Sequence, residues 1–322
     1  MNAEVFAEWL RRQGHKVLRS ESSYWFNAGP GVFQAFPYHW LIAPGPEEIR
    51  RLMMGHGMIA LRYSTPLDHP GGKVSYHIVL QKPYDLPMLK AQARNGVKSG
   101  LRHFQIEQVP FDRLATEGWA LQQDTLRRQG RLRSMTREAW EQLCRAAEGL
   151  PGFEAWAATM DGRLAAAVIV ARVDDWCYVP YSLSLSAFLG QHPNNALFFS
   201  VSRNLLDREG VSGIFFTVQS LDAPAQVDEF KLRMGFAPRV VCQCVAFSPL
   251  LRPFATPLTH GLIQRLYRRF PSSPSLAKAE GILRFHLEGA RPPSDQTWPE
   301  CLTGLRPAAP HASAPTAGSP VC

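Results

Sequence analysis

Apolar positions in the first 150 residues alternate between helical and strand rhythms. Val5, Phe6, Trp9 and Leu10 share one helical face ahead of Gly14, which predicts a short amphipathic helix with a stop signal. From Val17 to Ile42 aromatic and β-branched residues dominate, interrupted by Ala-Gly-Pro-Gly at 28–31, so strands joined by a turn are expected. Residues 44–57 open on Pro and Glu and close on Gly, the pattern of a capped helix. Strands are expected over 58–64 and 73–81. Residues 86–100 start as a helix that Gly96 and Gly100 should fray, and 101–109 alternates like a strand. Helices follow over 111–129 and 136–149.

Beyond Leu150 the rhythm becomes strand, turn, strand, turn, strand. Residues 153–160 and 164–173 flank Asp161-Gly162, a strong hairpin signal, and Asp174-Asp175 leads to a third strand over 176–184. A loop over 187–193 precedes a helix with Leu197, Phe198, Val201, Leu205 and Leu206 on one face. A buried-type strand over 213–220, a helix over 224–235 and a last strand over 236–247 complete this half. Two basic amphipathic helices are expected over 260–270 and 276–287. Residues 288–322 hold seven prolines and few core formers, the composition of a disordered tail.

Composition narrows the class without naming a partner. The chain has 322 residues, 45% of them hydrophobic and 19% charged, which excludes wholesale disorder and collagen-like or coiled-coil chains. A net charge of +8 suits an anionic partner. No stretch approaches a membrane span and the N-terminus is a poor signal peptide, so a cytoplasmic location is expected. Cys242 and Cys244 lie two apart on a strand without a second Cys/His pair, and the histidines are dispersed. Buried thiols and no metal site are the expectation.

The order of elements over 153–247 looks like the second half of a GNAT acyltransferase fold. Asp-Glu-Phe-Lys-Leu-Arg-Met-Gly-Phe (228–236) is similar to the Phe-Lys-x-x-x-Gly-Phe signature of the FemAB-like family. Residues 89–130, the HPNNALFF segment (192–199) and the REGVSGIFFTVQS segment (208–220) resemble the same family. The resemblance spans roughly residues 1–250. It implies an α/β fold of two tandem GNAT-like domains, each a mixed, mostly antiparallel sheet flanked by helices. The divisions are 1–150 for a degenerate N-terminal domain with a helical insertion, 151–250 for the second domain, 251–287 for C-terminal helices and 288–322 for the tail. It also implies transfer of an acyl or aminoacyl group to an amine, with the N-terminal half helping to bind the acceptor. Acyl-CoA, an acyl carrier protein or aminoacyl-tRNA would be the activated donor and co-substrate, with no tightly bound cofactor. The glycine-rich pyrophosphate loop of ordinary GNAT enzymes is replaced by Phe-Leu-Gly-Gln-His-Pro-Asn-Asn-Ala (188–196), the feature that supports a non-catalytic binding protein as the alternative.

Amide formation from a thioester or ester needs an oriented amine, donors facing the oxyanion and a route for the proton. Lys231 is the first candidate, a cation for phosphate or carboxylate, weighed against a solvated helix lysine beside Asp228 and Glu229. Tyr181 is the candidate general acid, with Tyr178 on the same strand, and Asp222 a candidate base or a turn residue. Asn194 and Asn195 open a helix whose free N–H groups suit an anion, although one would serve as an N-cap. Gly190 permits close backbone approach, and Gln219 and Ser220 end a strand at the expected cleft mouth. Lys90, Arg94, Lys98 and Arg102 recur every four residues, and Arg127, Arg128, Arg131 and Arg133 form a second cluster. Both are solvated faces or a groove for tRNA, CoA or an acidic carrier. Aromatic interleaving is absent, so stable DNA binding is not expected. The helices beyond 260 either pack on the sheet or make peripheral contact with an anionic membrane.

Overall fold

The computed structural model describes residues 3–130, 135–221, 229–271 and 273–305. The α/β architecture consists of one large mixed sheet of eleven strands with helices on both faces. Helix α1 (Ala3–Arg12) precedes β1 (Val17–Arg19), β2 (Tyr24–Gly29) and β3 (Val32–Phe36). Helix α2 (Pro46–His56) leads to β4 (Ala60–Thr65) and β5 (Lys73–Gln81). Helix α3 (Ala91–His103), β6 (Gln105–Val109), α4 (Phe111–Arg128) and α5 (Arg137–Ala147) connect to the second half. That half contains β7 (Phe153–Met160), β8 (Arg163–Val173), β9 (Trp176–Ser184), α6 (Pro193–Asp207), β10 (Gly213–Val218), α7 (Glu229–Arg233) and β11 (Ala237–Phe247). Helices α8 (Pro257–Arg269) and α9 (Pro274–Gly289) follow.

The strand order is β1-β2-β3-β4-β11-β5-β10-β9-β8-β7-β6. The sheets expected for two successive units are therefore joined into one. β11 is inserted between β4 and β5, and β5 is hydrogen-bonded to both β10 and β11. The β7–β8 turn has Asp161 and Gly162 both at positive φ (50° and 74°), the geometry that makes Asp-Gly a tight hairpin.

Two apolar layers cover the second half. α1, α4 and α5 bury Phe6, Trp9, Leu114, Leu121, Trp140 and Leu143 on one face, against Ile169, Tyr178 and Phe215. α3 and α6 bury Val97, Leu197, Phe198 and Leu205 on the other, against Val168, Val170 and Ile214. Because β8 is covered on both faces, it reads as a continuous apolar run rather than an alternating one.

Two expectations are corrected. Helix α3 does not fray at Gly96 or Gly100 but runs through both to His103. Those glycines let it lie close to α6: a Cβ on Gly100 would sit 2.5 Å from the His192 carbonyl oxygen, and one on Gly96 would sit 3.0 Å from the Asn195 amide. Close packing outweighs a propensity loss of about 1 kcal/mol per glycine. The segment 288–305, expected as disordered tail, is folded against the body. Leu302 is wholly buried, and the buried Gln296 side chain accepts from the Val74 amide (2.7 Å) and donates to the Gly72 carbonyl (3.0 Å). The rest of that tail lies outside the described residues.

Candidate active site

The two parallel strand pairs of the sheet are β3–β4 and β9–β10, and each pairs over only a few residues. β9 and β10 are in register at Trp176–Gly213, Cys177–Ile214 and Tyr178–Phe215, then separate. A bulge at Phe216 shifts β10 relative to β5 at the point of separation. The gap opens into a cavity of about 350 Å³ between the strands and α1. Pro180 and Tyr181 line it from β9, Phe216, Thr217 and Val218 from β10, and Gln34 and Tyr38 from the N-terminal half.

The two tyrosines weighed on β9 part company here. Tyr178 is buried and spends its hydroxyl on His39, whose Nδ1 lies 2.5 Å away. Burial pushes the His39 imidazole down to about 4 against the opposing pull of Asp174 and Asp175, so the ring is neutral at pH 7 and a single hydrogen bond joins its Nδ1 to the phenol. Tyr181 faces the cavity, and its hydroxyl has no hydrogen-bond partner among the described residues. Burial, then the Cys144 thiol, pushes it up to about 12, so it is a protonated donor at neutral pH. Tyr38, also on the cavity wall, is likewise raised by burial.

Beyond the cavity, the end of β9 is fastened by α4 before the chain reaches α6 on the other face. Arg128 donates to the Ser184 carbonyl (2.9 Å), the Ser184 hydroxyl (2.8 Å) and Ser186 Oγ (3.0 Å), while Asp124 accepts from the Ser186 amide and hydroxyl. Of the second basic cluster, Arg128 is thus a clamp rather than a solvated face, and Arg131 and Arg133 lie outside the described residues. Gly190 is exposed with open space around its Cα. The helix cap is His192, in the left-handed region at φ 63°, so neither asparagine is the N-cap that sequence favoured. Asn194 and Asn195 occupy the second and third helical positions, where backbone N–H groups have no intrahelical acceptor. Asn194 Nδ2 donates to Ser184 Oγ at 3.2 Å, and its Oδ1 is buried without a hydrogen-bond partner among the described residues. Asn195 Nδ2 lies 3.3 Å from the Met234 sulfur. Beside them, Lys90, Lys98 and Arg102 of the α3 segment are exposed and Arg94 is half-buried.

Lys231 is buried rather than solvated, with 9% of its surface exposed. Its ammonium sits 4.5 Å from the centroid of the Phe216 ring, which also lines the cavity and stacks on Phe198. The next turn of chain places Met234 on Asn195, so α7 links the buried cation to the start of α6. Gly235, at φ 89°, ends that turn beneath Tyr84, whose hydroxyl donates to the Met234 carbonyl at 3.0 Å.

The remaining candidates are held elsewhere. Gln219 is fixed by the N-terminal half: its Oε1 accepts from Ser75 (2.8 Å), its amide donates to the Tyr76 carbonyl (3.0 Å) and its carbonyl accepts from Arg62 (2.6 Å). Ser220 lines a second, largely apolar cleft of about 590 Å³ between β3–β4 and helices α8 and α9. Asp222 lies outside the described residues. Tyr38, His39, Arg62 and the His77–Ser64 pair (2.8 Å), all from the N-terminal half, escaped sequence reading. Arg62 left the clearest trace, a lone charge in the otherwise apolar run Met-Ile-Ala-Leu-Arg-Tyr (58–63). Among the described residues, no group of three His, Cys, Asp or Glu could hold a metal ion, and no helix is long and apolar enough to cross a membrane. Cys144, Cys177, Cys242 and Cys244 are buried free thiols.

Residues 88–230 match the family of acetyltransferase (GNAT) domains. Among solved structures, FemX is similar at 10% identity and a TM-score of 0.53, over 77% of this chain and 92% of its own. A conserved protein of unknown function from Bacteroides thetaiotaomicron is similar at 11% identity and a TM-score of 0.50, over 77% and 91% respectively. No curated protein sequence matches the chain.

Proposed function

Starting from a chain that carries a GNAT acyltransferase domain within a FemX-like fold, we propose that it moves an acyl or aminoacyl group from an activated donor to an amine. The observation that carries this reading is the β9–β10 separation, which opens a cavity beside a protonated tyrosine. The donor carbonyl would enter the gap between Pro180–Tyr181 and Phe216–Val218. Its anionic part would lie on the other face, where the amides of Asn194 and Asn195 open α6 and the basic side chains of α3 stand alongside. The acceptor amine would reach the carbonyl from the α1 side of the sheet.

In the reaction the amine nitrogen bonds to the acyl carbon, the carbon–sulfur or carbon–oxygen bond to the donor breaks, and one proton passes from nitrogen to the leaving group. Tyr181 suits the last step, as a neutral hydroxyl facing the cavity and holding its proton at pH 7. The Lys231 ammonium, seated on the Phe216 ring, supplies positive potential at the edge of the gap, where charge develops in the transition state. Acyl-CoA, acyl carrier protein and aminoacyl-tRNA all fit this scheme as donors, and the cytoplasm is the proposed location.

The test is a transfer assay of the purified full chain with each donor class against a panel of primary amines. Turnover with one donor class is the expected result. The segment Phe-Leu-Gly-Gln-His-Pro (188–193), which holds one glycine where ordinary GNAT enzymes have a glycine-rich loop, favours a second reading: a binding protein that retains the shape. Saturable donor binding with no transfer to any amine would select it.

A further inference from the structure

The C-terminal arm presents an apolar surface that the core does not use. Helix α8 buries none of its residues. Leu258, Leu262 and Leu266 are 87%, 57% and 39% exposed and recur every four residues, so they form one outward stripe. Phe254 (66% exposed) and Phe270 (54% exposed) extend it at either end. Residues 248–271 contain no Asp or Glu. Arg252, Arg265, Arg268 and Arg269 are all exposed, and none has a carboxylate partner among the described residues. Arg265 and Arg269 each lie three residues beyond a stripe leucine, on the same side of the helix. Beneath α8, Phe254 and Ile263 line the 590 Å³ apolar cleft, so the exposed stripe continues into its wall.

We propose that this arm docks the chain on an anionic lipid bilayer. The leucine stripe and Phe254 enter the boundary between headgroups and acyl chains, the arginines pair with lipid phosphates, and the apolar cleft is turned towards the membrane. Charge complementarity selects this occupant. A second copy of the chain meeting the same face across a two-fold axis would set arginines against arginines with no carboxylate to offset them. An anionic bilayer matches both the apolar stripe and its basic border.

The test is co-sedimentation of the full chain with vesicles of phosphatidylcholine alone and of phosphatidylcholine mixed with phosphatidylglycerol. The mixed vesicles should carry the protein to the pellet, with binding weakened by salt. Leu258→Asp with Leu262→Asp, and separately Arg265→Glu with Arg269→Glu, should each weaken it by at least about tenfold. Both pairs are exposed, so the melting temperature should not move. Absence of binding to anionic vesicles, equal binding to neutral ones, or unchanged binding in both variants would overturn the proposal. So would a dimer in light scattering that Leu258→Asp dissolves, because the stripe would then belong to self-association.

Discussion

Acidification should unload this fold through two histidines. His77 is 1% exposed, with Nε2 2.8 Å from Ser64 Oγ and its ring edge-on to Phe215. Burial, followed by the positive charge of Arg239, pushes it down to about 3. His39, held against Tyr178, is pushed down to about 4 by burial. Both groups are therefore neutral in the folded chain and titrate from 6.5 in the unfolded one. A depressed folded value means that the stabilisation is complete above pH 6.5 and is lost as pH falls through 4 for His39 and 3 for His77. At about 1.4 kcal/mol per pH unit and per group, the slope between about pH 6 and pH 4 is roughly 2.7 kcal/mol per unit. Over its whole window His39 accounts for about 3 kcal/mol and His77 for about 5. A typical domain has about 5–15 kcal/mol in hand, so the chain should unfold in mild acid. Urea unfolding followed between about pH 7 and pH 5 measures the slope directly. His77→Gln replaces the titrating ring with a neutral amide and should roughly halve the slope while lowering stability at neutral pH. Stability that stays flat across this range, or a full slope retained by His77→Gln, would refute the reasoning.

Other expectations follow from packing and from the site. Gly100→Ala forces a Cβ to within 2.5 Å of the His192 carbonyl oxygen and 2.8 Å of the Ala196 Cβ. It should cost about 1–3 kcal/mol in urea unfolding despite the better helix propensity, whereas Gly190→Ala, with nothing within 4 Å, should stay within about 0.5 kcal/mol. Tyr181→Phe keeps the ring and removes the proton donor, so kcat should fall by at least about tenfold with an unchanged melting temperature. Lys231→Ala, at a buried position, should damage both folding and transfer. Lys231→Met, which keeps most of the packing, should separate the two, with transfer down by at least about tenfold and only a small loss of stability. Loss of folding in Lys231→Met equal to the loss of transfer would make the lysine structural.

What sequence disclosed and what it hid divide along the range of the interactions. The strand expected over 73–81 matches β5 to the residue, and Asp161-Gly162 marks the β7–β8 hairpin, because both signals are local. Gly96 and Gly100 misled because propensity is local while their role is contact with α6, almost a hundred residues away. The insertion of β11 beside β4 and β5 has no local trace, since any apolar strand satisfies the same ladder. For Lys231 the sequence left a cleft cation and a solvated helix lysine beside Asp228 and Glu229 both open, and only the fold brings the Phe216 ring beneath it. For the same reason Tyr38 and Gln34, which complete the cavity wall from the other half of the chain, were beyond the reach of motif and spacing.

The central claim is that the gap between β9 and β10 receives the activated donor, and calorimetric titration of donor into the native chain and into Thr217→Trp tests it most directly. Thr217 is half-buried on the cavity wall, so an indole there fills the gap while leaving the surrounding core in place. Saturable binding of one donor class to the native chain, abolished in a Thr217→Trp protein that still melts cooperatively, is the predicted result. Undiminished binding to that variant would put the donor somewhere else on the molecule and contradict the account.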